Sequence, residues 1–116
     1  MSIKRIEPGP RMSQAVVLNG TVYVAGQVAL ESPGASVAEQ TRTVLARIDR
    51  LLAEAGTDKT KLVQATIWLT DISTFDEMNK VWDAWVAPGC TPARATVESK
   101  LAAPQFTVEI AVVAGL

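Results

Sequence analysis

The sequence predicts an α+β fold, a sandwich in which two helices cover one face of a mixed β-sheet. Three features carry this prediction: an Asn-Gly hairpin signal near the start, two amphipathic helical segments, and two apolar strand-like segments at the end. The 116 residues have a mass of 12.4 kDa, with 48% hydrophobic and 20% charged residues. Residues 1–116 are therefore expected to form a single domain with one core.

The first predicted element is a β-hairpin. Residues 14–18 and 21–25 are two apolar segments separated only by Asn19 and Gly20. An Asn-Gly pair readily adopts the positive φ values of a type I′ turn, so the two segments are predicted to form antiparallel strands.

Two amphipathic helices are predicted after the hairpin. The first begins after Ser36, which forms a capping-box pattern with Glu39, and it ends at Gly56. Its apolar residues recur at helical spacing: Val37, Val44, Leu45, Ile48, Leu51 and Leu52. The second helix covers residues 74–86 and stops at a Pro-Gly pair, which cannot continue a helix.

Three further strands are predicted at residues 62–70, 94–98 and 106–113, giving the order β-β-α-β-α-β-β. Helices on one side leave the other face of the sheet uncovered. Because the mean hydropathy is also positive, at +0.19, we expect that face to be buried in a homo-oligomer.

Composition removes several classes of function. A net charge of −1 and the absence of a basic run make nucleic acid an unlikely partner. The sequence has no apolar leader and no segment long enough to span a membrane, which predicts a cytoplasmic protein. A single cysteine, Cys90, and no histidine exclude zinc clusters and histidine-dependent nucleophiles.

Arg94 is the first candidate site residue. It lies in the segment PARATV, where strand alternation puts Arg94, Thr96 and Glu98 on one face. Its small neighbours leave the guanidinium accessible, and the planar fork of arginine binds a carboxylate through two parallel hydrogen bonds. The alternative is a structural ion pair, for example with Glu98.

Glu109 is the second candidate, because it interrupts an otherwise apolar strand. A partly buried carboxyl group can move protons, whereas the alternative is a side chain that faces solvent or pairs with an arginine of a neighbouring subunit. If the last two strands are neighbours, Arg94 and Glu109 can approach the same pocket.

Other polar or special positions permit two interpretations. Asn79 is expected on the polar side of the second helix, where it is either solvated or in contact with a ligand. Gly26 is needed either for chain geometry or for a close approach of the backbone to a ligand. Three tryptophans are expected to be core or interface anchors, with a binding cage as the alternative: Trp68, Trp82 and Trp85.

Five segments together resemble the RidA (YjgF) family over essentially the whole chain, and its YoaB-like members most of all. They are SQAV at residues 13–16, AGQ at residues 25–27, FDEMNKVWDAW, PARATV and VEIAVV. The resemblance implies a chorismate-mutase-like fold, a homotrimer with three clefts between subunits, and a hydrolase that needs no metal or cofactor. Better-studied members are deaminases that convert reactive enamines and imines of the 2-aminoacrylate type into 2-oxo acids and ammonia.

The resemblance also implies roles for individual residues. Arg94 matches the arginine that holds the substrate carboxylate, and Glu109 matches the acid proposed to position the attacking water. Gly26 and Asn79 match residues at the pocket. These matches favour a small 2-imino or 2-oxo acid as the ligand.

Three positions depart from the pattern of the active deaminases. Met12 stands where a pocket tyrosine is usual, Ala25 where a serine is usual, and Thr96 where a cysteine is usual. The polar wall of the pocket is therefore altered. A trimer that binds small carboxylates without turnover, acting through regulation, is the alternative function.

Overall fold

A computed structural model describes residues 2–116, which form six strands and two α-helices. The elements are β1 (Lys4–Pro8), β2 (Ser13–Leu18), β3 (Thr21–Gln27), α1 (Val37–Ala55), β4 (Leu62–Leu69), α2 (Phe75–Trp85), β5 (Ala93–Glu98) and β6 (Val108–Gly115). The strands make one sheet in the order β1-β2-β3-β6-β4-β5. β4 and β5 run parallel, and the other neighbours run antiparallel. The predicted α+β sandwich is confirmed.

The hairpin forms as predicted. Asn19 and Gly20 have φ values of 52° and 73°, as a type I′ turn requires. The strand β1, however, was missing from the sequence prediction, which contained five strands. Ile6 is the one buried residue of β1, so the strand shows no apolar alternation that a sequence pattern could detect.

The position of β6 differs from the arrangement considered above. β6 lies between β3 and β4, so β4 separates it from β5. Every second residue of β6 is buried and the others are half-buried, a pattern typical of an interior strand. β5 follows the α2 crossover and pairs in parallel with β4 at the edge of the sheet, where Ala93 and Ala95 remain exposed. The idea that the last two strands are neighbours is wrong.

One face of the sheet carries the core. The predicted apolar stripe of α1 is buried against strand residues that include Val24, Ile67, Leu69, Ile110 and Val112. α2 adds Met78, Val81 and Trp82 to the same layer. Both helices therefore cover the same face, as predicted. No helix within residues 2–116 is long and apolar enough to cross a membrane.

The part of the chain that the structure describes places no helix over the opposite face of the sheet. Tyr23 on β3 is 48% exposed and Val97 on β5 is 45% exposed, while Trp68 on β4 is half-buried. Trp68 therefore belongs to the open face, whereas Trp82 lies in the core. Burial of this apolar face by other copies of the chain stays a prediction.

The N-terminus of α1 gives a stability prediction. The Oγ atom of Ser36 accepts a hydrogen bond from the backbone N–H of Glu39 at 3.1 Å. Ser36→Ala is expected to lower the free energy of unfolding by about 1 kcal/mol, because that N–H loses its partner. Urea denaturation measures the change, and Ser36→Asp is the control that keeps an acceptor. An equal loss in both variants would contradict the capping role.

Candidate functional site

Arg94 lies near the start of β5 and points toward the helical layer. Its β4 partner is Ala65, which is buried on the helix-covered face. The guanidinium carbon lies 5.2 Å from the centre of the Trp82 ring and 5.8 Å from that of the Phe75 ring. Two aromatic rings of α2 therefore hold the arginine by cation–π contacts.

An open cleft of about 660 Å³ lies at this edge of the molecule. Its lining residues come from α2 and β5: Asp76, Asn79, Lys80, Trp82, Asp83 and Arg94. Phe75, Asn79 and Trp82 are spaced by four and three residues, so they share one face of α2. That face is the one turned toward the start of β5.

The charge of Arg94 is not neutralised by an ion pair among residues 2–116. Glu98, the partner considered in the structural alternative, instead accepts a hydrogen bond from the backbone N–H of Ile72 at 3.0 Å. Burial lowers the pKa of the Arg94 guanidinium, and the negative charge of Asp83 opposes that shift. Arginine nevertheless stays protonated in proteins, so the cleft contains a cation that is free to bind an anion.

Two polar atoms on this side of the sheet lack a partner within the described chain. They are Oδ1 of Asn79 and Oγ1 of Thr96, both buried from solvent. The solvated position considered for Asn79 is not the one observed, because this residue is half-buried beside Arg94. Buried polar atoms normally form hydrogen bonds, so Asn79 and Thr96 are candidates to contact a ligand.

Glu109 lies on the open face of the sheet, opposite to Arg94. It pairs with Trp68 of β4 and is half-buried. Its carboxylate occupies the space over Gly26, where a Cβ atom would lie 2.0 Å from Oε2. Gly26 is therefore required here for room, not for a positive φ.

Gly26→Ala gives a second prediction. A methyl group cannot coexist with the carboxylate at that distance, so the Glu109 side chain is expected to swing away from β3. A crystal structure of the variant checks the rotamer of Glu109. Gly115→Ala is the matched control, because a Cβ atom there meets nothing within 4 Å. An unmoved carboxylate in Gly26→Ala would contradict the contact.

The candidate residues fall into two separate groups. Arg94 is level with Ala65 and Glu109 is level with Trp68, three residues further along β4. With two strand spacings between them, their Cα atoms are roughly 14 Å apart, and their side chains leave opposite faces. Met12 is 47% exposed between β1 and β2, on the far side of the sheet from β5.

Arg94, Asn79 and Thr96 thus belong to one group, and Glu109 and Gly26 to another. A short imino acid cannot reach both within one chain. Sequence reasoning missed Phe75 and Asp83 as neighbours of Arg94, and it treated Trp82 as a core or interface anchor, not as a neighbour of Arg94. Strand–helix–strand connectivity was the available signal, since a parallel crossover returns β5 beneath α2.

Comparisons with known proteins agree on one family. The Endoribonuclease L-PSP family model matches residues 2–116. The RutC family protein YoaB of Escherichia coli is 42% identical over 116 residues, covering 100% of both chains. The rat 2-iminobutanoate/2-iminopropanoate deaminase is 32% identical over 108 residues, covering 88% of this chain and 77% of the relative.

Solved structures support the same assignment. NMB1025 of Neisseria meningitidis, a member of the YjgF protein family, superposes with a TM-score of 0.95 at 50% identity, covering 99% of this chain and 95% of that one. Rv2704 of Mycobacterium tuberculosis, from the YjgF/YER057c/UK114 family, gives a TM-score of 0.88 at 30% identity, covering 99% and 100%. The chain belongs to the RidA (YjgF) family and is similar to its YoaB-like members over its full length.

Proposed function

We propose that this protein hydrolyses 2-imino acids of the kind formed from 2-aminoacrylate. Water adds to the imine carbon, the carbon–nitrogen bond breaks, and the products are a 2-oxo acid and ammonia. The observation that carries the proposal is the guanidinium of Arg94, which forms no ion pair within residues 2–116 and lies over two aromatic rings in an open cleft. The rat relative whose name states this activity supports the choice of reaction.

Arg94 is assigned to the substrate carboxylate. Two parallel N–H groups of its fork match the two oxygens of a carboxylate, and the rings of Trp82 and Phe75 restrict the position of the guanidinium. Asn79 and Thr96 offer the nearby polar atoms that lack a partner in the described chain. A planar imino acid held in this way has its reactive carbon just beyond the arginine.

Glu109 is assigned to the water. A carboxylate beside a bound water removes one proton as the oxygen attacks, and returns a proton to the nitrogen as ammonia leaves. Glu109 of the same chain lies too far from Arg94 for this, so the proposed site combines Arg94 of one copy with Glu109 of a neighbouring copy. A homotrimer in which the β5 edge of one copy meets the open sheet face of the next would supply one such site at each subunit interface.

The second candidate function is binding of a small carboxylate without turnover. Met12, Ala25 and Thr96 replace three polar residues that the resemblance associates with active deaminases, and this favours the alternative. Arg94 would then serve recognition alone, and Glu109 would have no role in chemistry. Neither candidate involves RNA, because a chain with 11 basic and 12 acidic residues has no net positive charge to favour RNA binding.

The deciding experiment measures ammonia and 2-oxo acid release from freshly generated 2-iminopropionate and 2-aminoacrylate. The wild-type protein is expected to accelerate release above the uncatalysed rate, and pyruvate is expected to inhibit competitively. Binding of pyruvate without any acceleration would favour the carboxylate-binding alternative. An absence of both would defeat the two candidates together.

A further inference from the structure

Arg47 is much less exposed to solvent than the other arginines on the polar side of α1. Its side chain is only 13% exposed, although the neighbouring arginines of the helix are much more accessible. Its Nε–H donates to Oε1 of Gln27 at 3.1 Å, and its Nη1 contacts Glu31 at 2.7 Å. A half-buried guanidinium that contacts the sheet needs a reason beyond solubility.

The Gln27 side chain connects Arg47 to the backbone of β3. It is 1% exposed, and its Nε2 donates to the carbonyl oxygen of Ala25 and to Oε1 of Gln14, both at 3.0 Å. The register between β3 and β6 shifts between Val24 and Gln27, which is a β-bulge. Ala25 and Gly26 form that bulge, so the Gln27 side chain ties the bulge to the helical layer.

The direction of the Gln27 amide depends on Arg47. Because a guanidinium has only donors, the atom of Gln27 that faces it must be the oxygen. The NH2 group is then left to face Ala25 and Gln14. Without Arg47 the amide loses one of the two contacts that fix this direction, and only the Ala25 carbonyl oxygen still disfavours the opposite orientation, which would set the Gln27 oxygen against it.

The Glu109 side chain of β6 packs against the same bulge. Gly26 leaves the space that the Glu109 carboxylate fills. A change in the backbone of the bulge therefore changes the surface against which that carboxylate packs. We infer that Arg47 is a positioning residue that acts through Gln27 on the Ala25–Gly26 bulge and so fixes the Glu109 carboxylate. The consequence for catalysis rests on the proposed function, whereas the geometric claim does not.

The contacts that run from Arg47 through Gln27 to the Ala25–Gly26 bulge form a relay, and two variants break this relay at different points. Gln27→Glu keeps the size and the contact with Arg47 but presents a carboxylate oxygen, which cannot donate, to Ala25. Arg47→Met keeps much of the side-chain length but has no donor for Gln27. Arg50→Ala is the matched control, because Arg50 is an arginine of the same helix that contacts Glu7 and Glu54 on the surface.

The first readout is the NMR spectrum of the folded proteins, followed at the Gly26 amide and the Glu109 side-chain carboxyl carbon. Both relay variants are expected to shift these signals, and Arg50→Ala is expected to leave them in place. The second readout compares turnover with pyruvate binding. Turnover should fall roughly 10-fold or more, as misplacement of a reacting group does, while pyruvate affinity stays within about twofold.

The outcomes separate this inference from the proposed function. Unshifted Gly26 and Glu109 signals in a folded Gln27→Glu protein would overturn the positioning role, as would equal losses of turnover and pyruvate affinity. A wild-type protein without turnover would defeat the proposed hydrolysis, yet the NMR comparison would still decide whether Arg47 fixes the carboxylate. If Arg47→Met fails to fold, Gln27→Glu carries the test alone.

Discussion

Arg94→Ala is expected to cause a large loss of both ligand binding and turnover, whereas Glu109→Gln is expected to cause a large loss of turnover alone. Loss of the guanidinium removes the only group proposed to bind the carboxylate, so pyruvate should bind about 100-fold more weakly, a change of roughly 3 kcal/mol. Glutamine at position 109 keeps the size of the side chain but cannot take a proton from water. Turnover should then fall by about 100- to 1,000-fold.

Isothermal titration with pyruvate and the ammonia-release assay measure the two quantities separately. Arg94→Lys is the matched control for charge: it keeps the cation but loses the planar fork, so it should lie between wild type and Arg94→Ala. Thermal melting checks that loss of the contacts with Trp82 and Phe75 has not unfolded the protein. Full turnover in Glu109→Gln would remove this residue from the mechanism.

Local sequence patterns predicted most of the fold. The Asn19-Gly20 turn, the Ser36 cap and the Gly56 helix end depend on near neighbours in the chain, and all three form as predicted. The sheet order depends on contacts between distant segments. For this reason the insertion of β6 between β3 and β4 could not be read from the strand segments themselves.

The candidate site shows the same limit. Alternation along β5 correctly placed Arg94 and Thr96 on one face. A lone acid in an apolar strand drew attention to Glu109, whose part in a site stays a prediction. Arg94 and Glu109 lie on opposite faces of the sheet, and this follows from how β5 and β6 each pair with the intervening β4. The aromatic contacts of Arg94 also depend on tertiary packing, because Phe75 and Trp82 approach it only through the crossover.

A mixture of two inactive variants is expected to regain activity if the proposed site lies between subunits. Arg94→Ala retains Glu109, and Glu109→Gln retains Arg94. When both chains assemble in one oligomer, some interfaces combine the two intact residues. With equal amounts and random assembly, half of the chains supply an intact Arg94 and half an intact Glu109, so about one quarter of the sites should be active.

The geometry of the single chain makes this outcome informative. Arg94 and Glu109 leave opposite faces of the sheet, with Cα atoms roughly 14 Å apart, so one chain does not bring them together. Mixing would also not restore a site within one subunit, because every chain in the mixture lacks one of the two residues. The two variants are unfolded together, refolded, and assayed for ammonia release beside each variant refolded alone. Refolded wild-type protein provides the scale for full activity.

Recovery near one quarter of the wild-type activity would place the two residues on different subunits of one site. A mixture that stays as inactive as its components, while wild-type protein regains activity after the same treatment, would contradict a shared site. Arg94 and Glu109 would then act on different ligands or in different processes. That result would leave Arg94 as a carboxylate-binding residue and would require another group to activate the water.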